Sequence, residues 1–218
     1  MTKYTTILWD LDGTIINSFP GVFESFNHTF RTLGMPEVTA EQMKPFMGPP
    51  LRTTFRDVLK LEPEKVEECI AVYRDFYLNQ GGALNCYLYP GIIETIHKSK
   101  AAGITNSLAT SKAERGTRLV GEHYDFLKYF DVLGTATNDQ SRNTKTDVIT
   151  YAIGELQNLN ADLTKVILIG DRIHDIEGAR EHGIEVCLVT WGFGNEEEWS
   201  EADYLVNNTK ELEELLGL

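Results

Sequence analysis

Cysteine is scarce in this chain: there are three, Cys69, Cys86 and Cys187, and none stands in C-x-x-C spacing. A set so sparse and odd in number argues against a disulfide framework and suits reduced thiols. Positive charge is also short, with 20 Lys and Arg against 33 Asp and Glu and a net charge of -13. The basic residues are scattered, so DNA or RNA would be repelled over most of the surface, and no nucleic-acid partner is expected. No apolar stretch reaches the length of a membrane span, and the N-terminus lacks the basic stretch and long apolar region of a signal peptide. The expectation is a cytoplasmic protein with no membrane partner. A hydrophobic fraction of 42% supplies the core of one large domain, or of one domain carrying a smaller insert. A negatively charged substrate of so acidic a chain must be small and held by a local positive site, either a metal ion or a well-placed lysine.

Short apolar runs alternate with longer amphipathic ones. Strands are expected at 5–10, 104–110, 130–135, 165–171, 185–190 and 203–207, and helices at 91–102, 112–124, 145–158, 173–182 and 209–216. Asn106 and Ser107 interrupt the apolar run of the second strand. Runs such as "VILI" suit strands covered on both faces, and the alternation predicts a parallel sheet with helices on both sides. From about Ser18 to Leu84 the pattern is helical only, which marks an insert after the first strand. The acidic stretch "GNEEEWSEAD" reads as a solvated loop. No repeat is present, and nothing in the pattern fixes an oligomeric state.

The first strand ends in "DLDGT". Side chains two apart on a strand share a side, so Asp10 and Asp12 point together from its C-terminal end, where ligands of open α/β sheets bind. Gly13 lets the backbone turn sharply and bring N–H groups to an anion. A second acidic pair follows another apolar strand in "VILIGDRIHD", where Asp171 and Asp175 are spaced to share one face at a helix start. Four clustered carboxylates would repel each other by roughly 4 kcal/mol per close pair at an effective dielectric near 20. A divalent cation held by Asp10, Asp12, Asp171 and Asp175 relieves this, and an all-oxygen set without a His or Cys cluster points to Mg²⁺. Capping of a helix by Asp171 or Asp175 is the simpler alternative. "LATSK" adds Thr110, Ser111 and Lys112 at the same sheet edge, offering hydroxyls and backbone N–H groups. "NTKTD" puts Lys145 at a helix opening, against the helix dipole, which a nearby anion or carboxylate would explain.

In order, these stretches resemble the four signature motifs of the haloacid dehalogenase-like hydrolase superfamily, over the whole chain. The insert resembles the cap of the subgroup in which it lies between the first two motifs. The resemblance implies an α/β fold: a Rossmann-like core formed by residues 1–17 and 85–218, with a helical cap, 18–84, closing over the site. It implies Asp10 as nucleophile, Asp12 as general acid and base, Thr110 as a phosphoryl ligand and Lys145 holding Asp10 and the phosphate. Asp171 and Asp175 would secure Mg²⁺, the second through water. The dehalogenases of the superfamily lack an aspartate at the Asp12 position, so a phosphatase acting on a small phosphorylated metabolite is expected. N–H groups near Gly13 and Ser111 would share the phosphoryl charge with Mg²⁺ and Lys145.

"FMGPPLRTTF" and "TWGFGNEEEW" resemble stretches of phosphatases related to phosphoglycolate phosphatase and of some nucleotidases. Arg52 in the first would meet a substrate carboxylate or second phosphate, or is a surface arginine. Asn17-Ser18 stands where the family often has Asp-Ser, and Trp9 replaces a smaller ring or apolar residue as packing. A sugar-phosphate mutase, a nucleotidase, a signalling phosphoacceptor and an inactive binding module are the alternatives. The extra Asp12 and the insert argue against the phosphoacceptor, and the full set of reactive residue types against the binding module.

Overall fold

A computed structural model of the protein describes residues 2–139 and 141–218. The chain divides into two compact units, Met1–Asn17 with Leu88–Leu218, and Ser18–Tyr87. The second break falls at Leu88, not at residue 85, because the 3₁₀ turn Gly82–Leu84 and the residues after it stay with the helical unit.

The first unit is built on six parallel strands: β1 (Thr6–Trp9), β2 (Thr105–Ala113), β3 (Val132–Ala136), β4 (Val166–Gly170), β5 (Glu185–Val189) and β6 (Tyr204–Val206). Their order across the sheet is β3-β2-β1-β4-β5-β6. β1 is central, and Ile7, Leu8 and Trp9 are wholly buried, as a strand covered on both faces requires. The polar interruption in β2 is accommodated inside the core. Asn106 Oδ1 accepts from Trp9 Nε1 at 2.9 Å and from Ser99 Oγ at 3.0 Å, while Asp131 Oδ2 accepts the Asn106 N–H. Trp9 is therefore more than packing: its ring N–H finds the one buried side-chain amide on the neighbouring strand.

The unit Ser18–Tyr87 is built of helices joined by turns, and Tyr87 begins a two-residue strand, Tyr87–Leu88. α1 (Phe19–Thr32) and α2 (Pro63–Asn79) pack together around Phe26, Phe55 and Tyr73. Between them lie short turns, among them a π-helical stretch, Thr54–Val58, that the pattern did not mark.

The remaining helices return to the sheet: α3 (Ile92–Ala101), α4 (Glu114–His123), α5 (Lys145–Asn158), α6 (Ile173–Glu181), α7 (Glu196–Trp199) and α8 (Thr209–Leu216). Val148, Ile149 and Leu156 of α5 and Ile176 and Ala179 of α6 form one core with Leu8, Leu168, Val186 and Leu188. Truncating such a fully buried leucine costs about 2–5 kcal/mol, so this face fixes where α5 and α6 begin, and with them Lys145 and Asp175. Two readings are corrected here. α4 begins at Glu114 because β2 runs on to Ala113, past a register shift after Thr110. The acidic stretch at 195–199 is a helix, α7, capped by Asn195 Oδ1, which accepts from the N–H groups of Glu197 and Glu198. Among the described residues no helix is long and apolar enough to cross a membrane.

Candidate active site

The strand order reverses between β1 and β4, and ligands of such sheets bind at that switch point, beyond the strand C-termini. Asp10 follows β1 and Asp171 follows β4. α5 delivers Lys145 through a capping box. Thr144 Oγ1 accepts from Asp147 N–H at 3.1 Å, and Asp147 Oδ2 accepts from Thr144 N–H at 2.9 Å. That box fixes the helix start even though a lysine stands first in it. Lys145 Nζ then donates to Asp10 Oδ1 at 2.7 Å and to the Ala109 carbonyl at 2.8 Å, and lies 2.6 Å from Asp175 Oδ1. The expected carboxylate is therefore two carboxylates.

Asp171 and Asp175 are not side by side on a helix face, because α6 begins only at Ile173. Asp175 lies within the first turn and caps the helix: its Oδ2 accepts from the N–H groups of Asp171 and Arg172, at 3.0 and 3.1 Å. Asp171 precedes the helix, and its Oδ2 accepts from Phe193 N–H at 2.6 Å. Asp175 thus caps the helix with one oxygen and meets Lys145 with the other, so capping does not exclude it from the cluster.

Asp10, Asp171 and Asp175 are all buried, and each offers an oxygen within 4.8 Å of the others. Burial, first of all, and then Asp175 and Asp12 push the Asp10 carboxyl up to about 7, against the opposing pull of Lys145. Asp171 is raised well above the usual carboxylate range by burial and by Asp10 and Asp175. Burial alone would lower the Lys145 ammonium, but Asp10 and Asp175 raise it above its ordinary value. One ammonium does not balance three buried carboxylates. Asp171 Oδ1 is buried and finds no hydrogen-bond partner among the described residues. This hard, all-oxygen, over-negative set fits a divalent cation held by Asp10, Asp171 and Asp175.

The carboxylate of Asp12 is directed elsewhere, with both oxygens on Lys112 Nζ at 3.0 and 3.2 Å. Thr110 is buried beside it, its Oγ1 accepting from Lys112 N–H at 3.1 Å; Ser111 lies half-buried between them. Gly13 makes the expected sharp turn, but its own N–H is already engaged, donating to the Ile16 carbonyl at 2.8 Å. What the position demands is its φ of 90° and the lack of a Cβ, which would lie 2.2 Å from Asp171 Oδ2. Arg52 belongs to the helical unit, where its guanidinium is engaged by Glu67.

Three contributors were missed from the sequence: the Lys112 ammonium, the 192–194 loop that cradles Asp171, and the Arg172–Glu198 pair. The Arg172 guanidinium reaches Glu198 with Nε at 2.9 Å and Nη2 at 3.0 Å, and Ile173 N–H donates to the same carboxylate. α7 is thereby tied to the opening of α6, with the Asp171 loop between them. The glycines of "WGFG" just beyond β5, at the edge that carries Asp10, were the signal available.

Residues 7–189, spanning all four motifs, match the haloacid dehalogenase-like hydrolase family. The chain belongs to that family. It is 36% identical over 188 residues to the tyrosine-protein kinase PtkA of Mycobacterium tuberculosis, covering 86% of this chain and 62% of PtkA. It therefore spans about three-fifths of the length of that curated relative. It is 31% identical over 189 residues to the pyrophosphatase PpaX of Bacillus cereus, covering 87% of this chain and 84% of PpaX. In three dimensions it is similar to a predicted phosphatase from Clostridium acetobutylicum, with a TM-score of 0.89, 32% identity and 99% of both chains covered.

Proposed function

We propose that this chain is a Mg²⁺-dependent phosphatase that hydrolyses a small phosphate monoester, of the phosphoglycolate type, through an aspartyl-phosphate at Asp10. The observation that carries this reading is the contact of Lys145 with both Asp10 and Asp175 beside an otherwise unbalanced Asp171. Asp10, held by Lys145, attacks phosphorus; the ester P–O bond breaks, and the leaving oxygen takes a proton from Asp12. Water then attacks the aspartyl-phosphate and gives its proton to Asp12, the P–O bond to Asp10 breaks, and inorganic phosphate leaves. The hydroxyls of Thr110 and Ser111 donate to the phosphoryl oxygens, and Lys145 neutralises part of their charge. A Mg²⁺ ion held by Asp10, Asp171 and Asp175 would supply the remaining neutralisation of the phosphoryl charge. Phosphate monoesters need this help: enzymic accelerations of their hydrolysis reach about 10²¹-fold.

Similarity to PpaX favours a second substrate reading, inorganic pyrophosphate, with the same residues in the same roles. Arg52 is proposed as a specificity residue, so Arg52→Ala changes which substrate is preferred. The test is phosphate release, with Mg²⁺ and with a chelator, from phosphoglycolate, nucleoside monophosphates, sugar phosphates, an aryl phosphate and pyrophosphate. Magnesium-dependent release is the expected result, and the best substrate decides between the readings. A phosphorylated protein that persists without turnover would overturn both in favour of a phosphoacceptor.

A further inference from the structure

Lys112 is held at both ends. Its backbone N–H binds Thr110 Oγ1, and its Nζ grips both oxygens of Asp12. The lysine side chain is only 7% exposed, whereas that of Asp12 is 28% exposed. The register shift in β2 between Thr110 and Ala113 lies at this point, and such an irregularity re-aims side chains at a strand end. An exposed ion pair is worth little, but one whose cation is withdrawn from water holds its geometry. The position matters because Asp12 is two residues from Asp10. Released, its carboxylate would be a fourth acidic group beside a set that fits a cation, free to turn toward it.

We infer that Lys112 is a positioning residue that keeps the Asp12 carboxyl group out of the metal-binding set: in turnover it holds one Asp12 oxygen and leaves the other to carry the proton to the leaving oxygen. The inference rests on the proposed phosphatase reading. It also gives a reason for the lysine beyond bracing β2 against the loop after β1. A brace would serve every substrate equally. A device for proton delivery matters only when the leaving oxygen needs a proton.

The test compares wild type, Lys112→Met and Lys112→Arg on an alkyl phosphate and on nitrophenyl phosphate, reading kcat/KM, which reports the step in which the ester bond breaks. Lys112→Met should lose about 10- to 100-fold on the alkyl ester, a fraction of what general acid catalysis supplies, and far less on the nitrophenyl ester. Lys112→Arg, which keeps charge and reach, should recover most of the loss. Equal loss on both esters, or none on either, overturns the inference while leaving the phosphatase reading in place. Wild type inactive on every substrate overturns the phosphatase reading itself. A crystal structure of Lys112→Met tests the positioning directly: the Asp12 carboxylate should leave its wild-type rotamer, and an unmoved Asp12 contradicts the inference whatever the rates.

Discussion

Lys145 Nζ lies 2.6 Å from Asp175 Oδ1, and that contact joins the first turns of α5 and α6 at the sheet edge. The lysine stands against its helix dipole and the aspartate with its own, so the pair makes the first tolerable and leaves the second free to cap. The same ammonium reaches Asp10. Helix placement and site electrostatics therefore depend on one side chain.

Removing that charge should be costly. Lys145→Met leaves buried carboxylates without their counter-ion, and a loss of about 3–5 kcal/mol is expected from breaking such a group. Urea unfolding in chelator measures it, and added Mg²⁺ should restore part of the loss. An unchanged midpoint would show that the carboxylates do not depend on Lys145.

Gly192 approaches Asp171 so closely that a Cβ would lie 2.4 Å from Asp171 Cβ. Gly192→Ala should displace Asp171 and weaken Mg²⁺ binding about 10- to 100-fold, as changes behind a metal ligand do. Titration calorimetry on the metal-free protein reads this, and unaltered affinity would remove Asp171 from the ligand set.

The metal-free protein should become less stable as pH rises from about 4 to 7. Unfolded, Asp10 loses its proton near 3.9; folded, it holds it up to about 7. Between those values the folded state binds more protons, so unfolding free energy falls with pH, by about 4 kcal/mol from Asp10 alone, and Asp171, raised as well, adds to the fall. Asp10→Asn should flatten the slope. Saturating Mg²⁺, which binds the deprotonated carboxylate, should do the same. Thermal melts across this range in chelator decide it, and a stability that climbs toward pH 7 would contradict the account.

Arg172 and Glu198 should be energetically coupled. Both are largely withdrawn from water, with side chains 18% and 13% exposed. A double-mutant cycle of Arg172→Met and Glu198→Gln should return about 1–3 kcal/mol of coupling. Additive effects would mean that α7 is not tied to α6 through this pair.

Elements whose ends carry local signals were legible in the sequence. α5 and α8 begin and end where the pattern placed them, because Thr144 and Asn208 cap them and Gly217 closes the second with a positive φ. The carboxylates were legible because they sit immediately beyond apolar strands. The partnerships were not. Trp9 with Asn106, and Lys112 with Asp12, pair residues about a hundred positions apart, and only the pairing of β1 with β2 brings these stretches of chain side by side. Periodicity reports which face is buried, not which polar group waits there. Asp171 escaped its expected helix face for a similar reason: where α6 starts is set by Asp175 reaching back to the backbone and by the packing of Ile176 on the sheet.

The central claim, that Asp10 carries the phosphoryl group, is tested most directly by trapping it. Acid quench during turnover of a labelled ester with Mg²⁺, followed by peptide mapping, should place the phosphoryl label on Asp10. Asp10→Asn should show neither label nor turnover. Turnover without a labelled Asp10, or a near-wild-type rate in Asp10→Asn, would contradict the account.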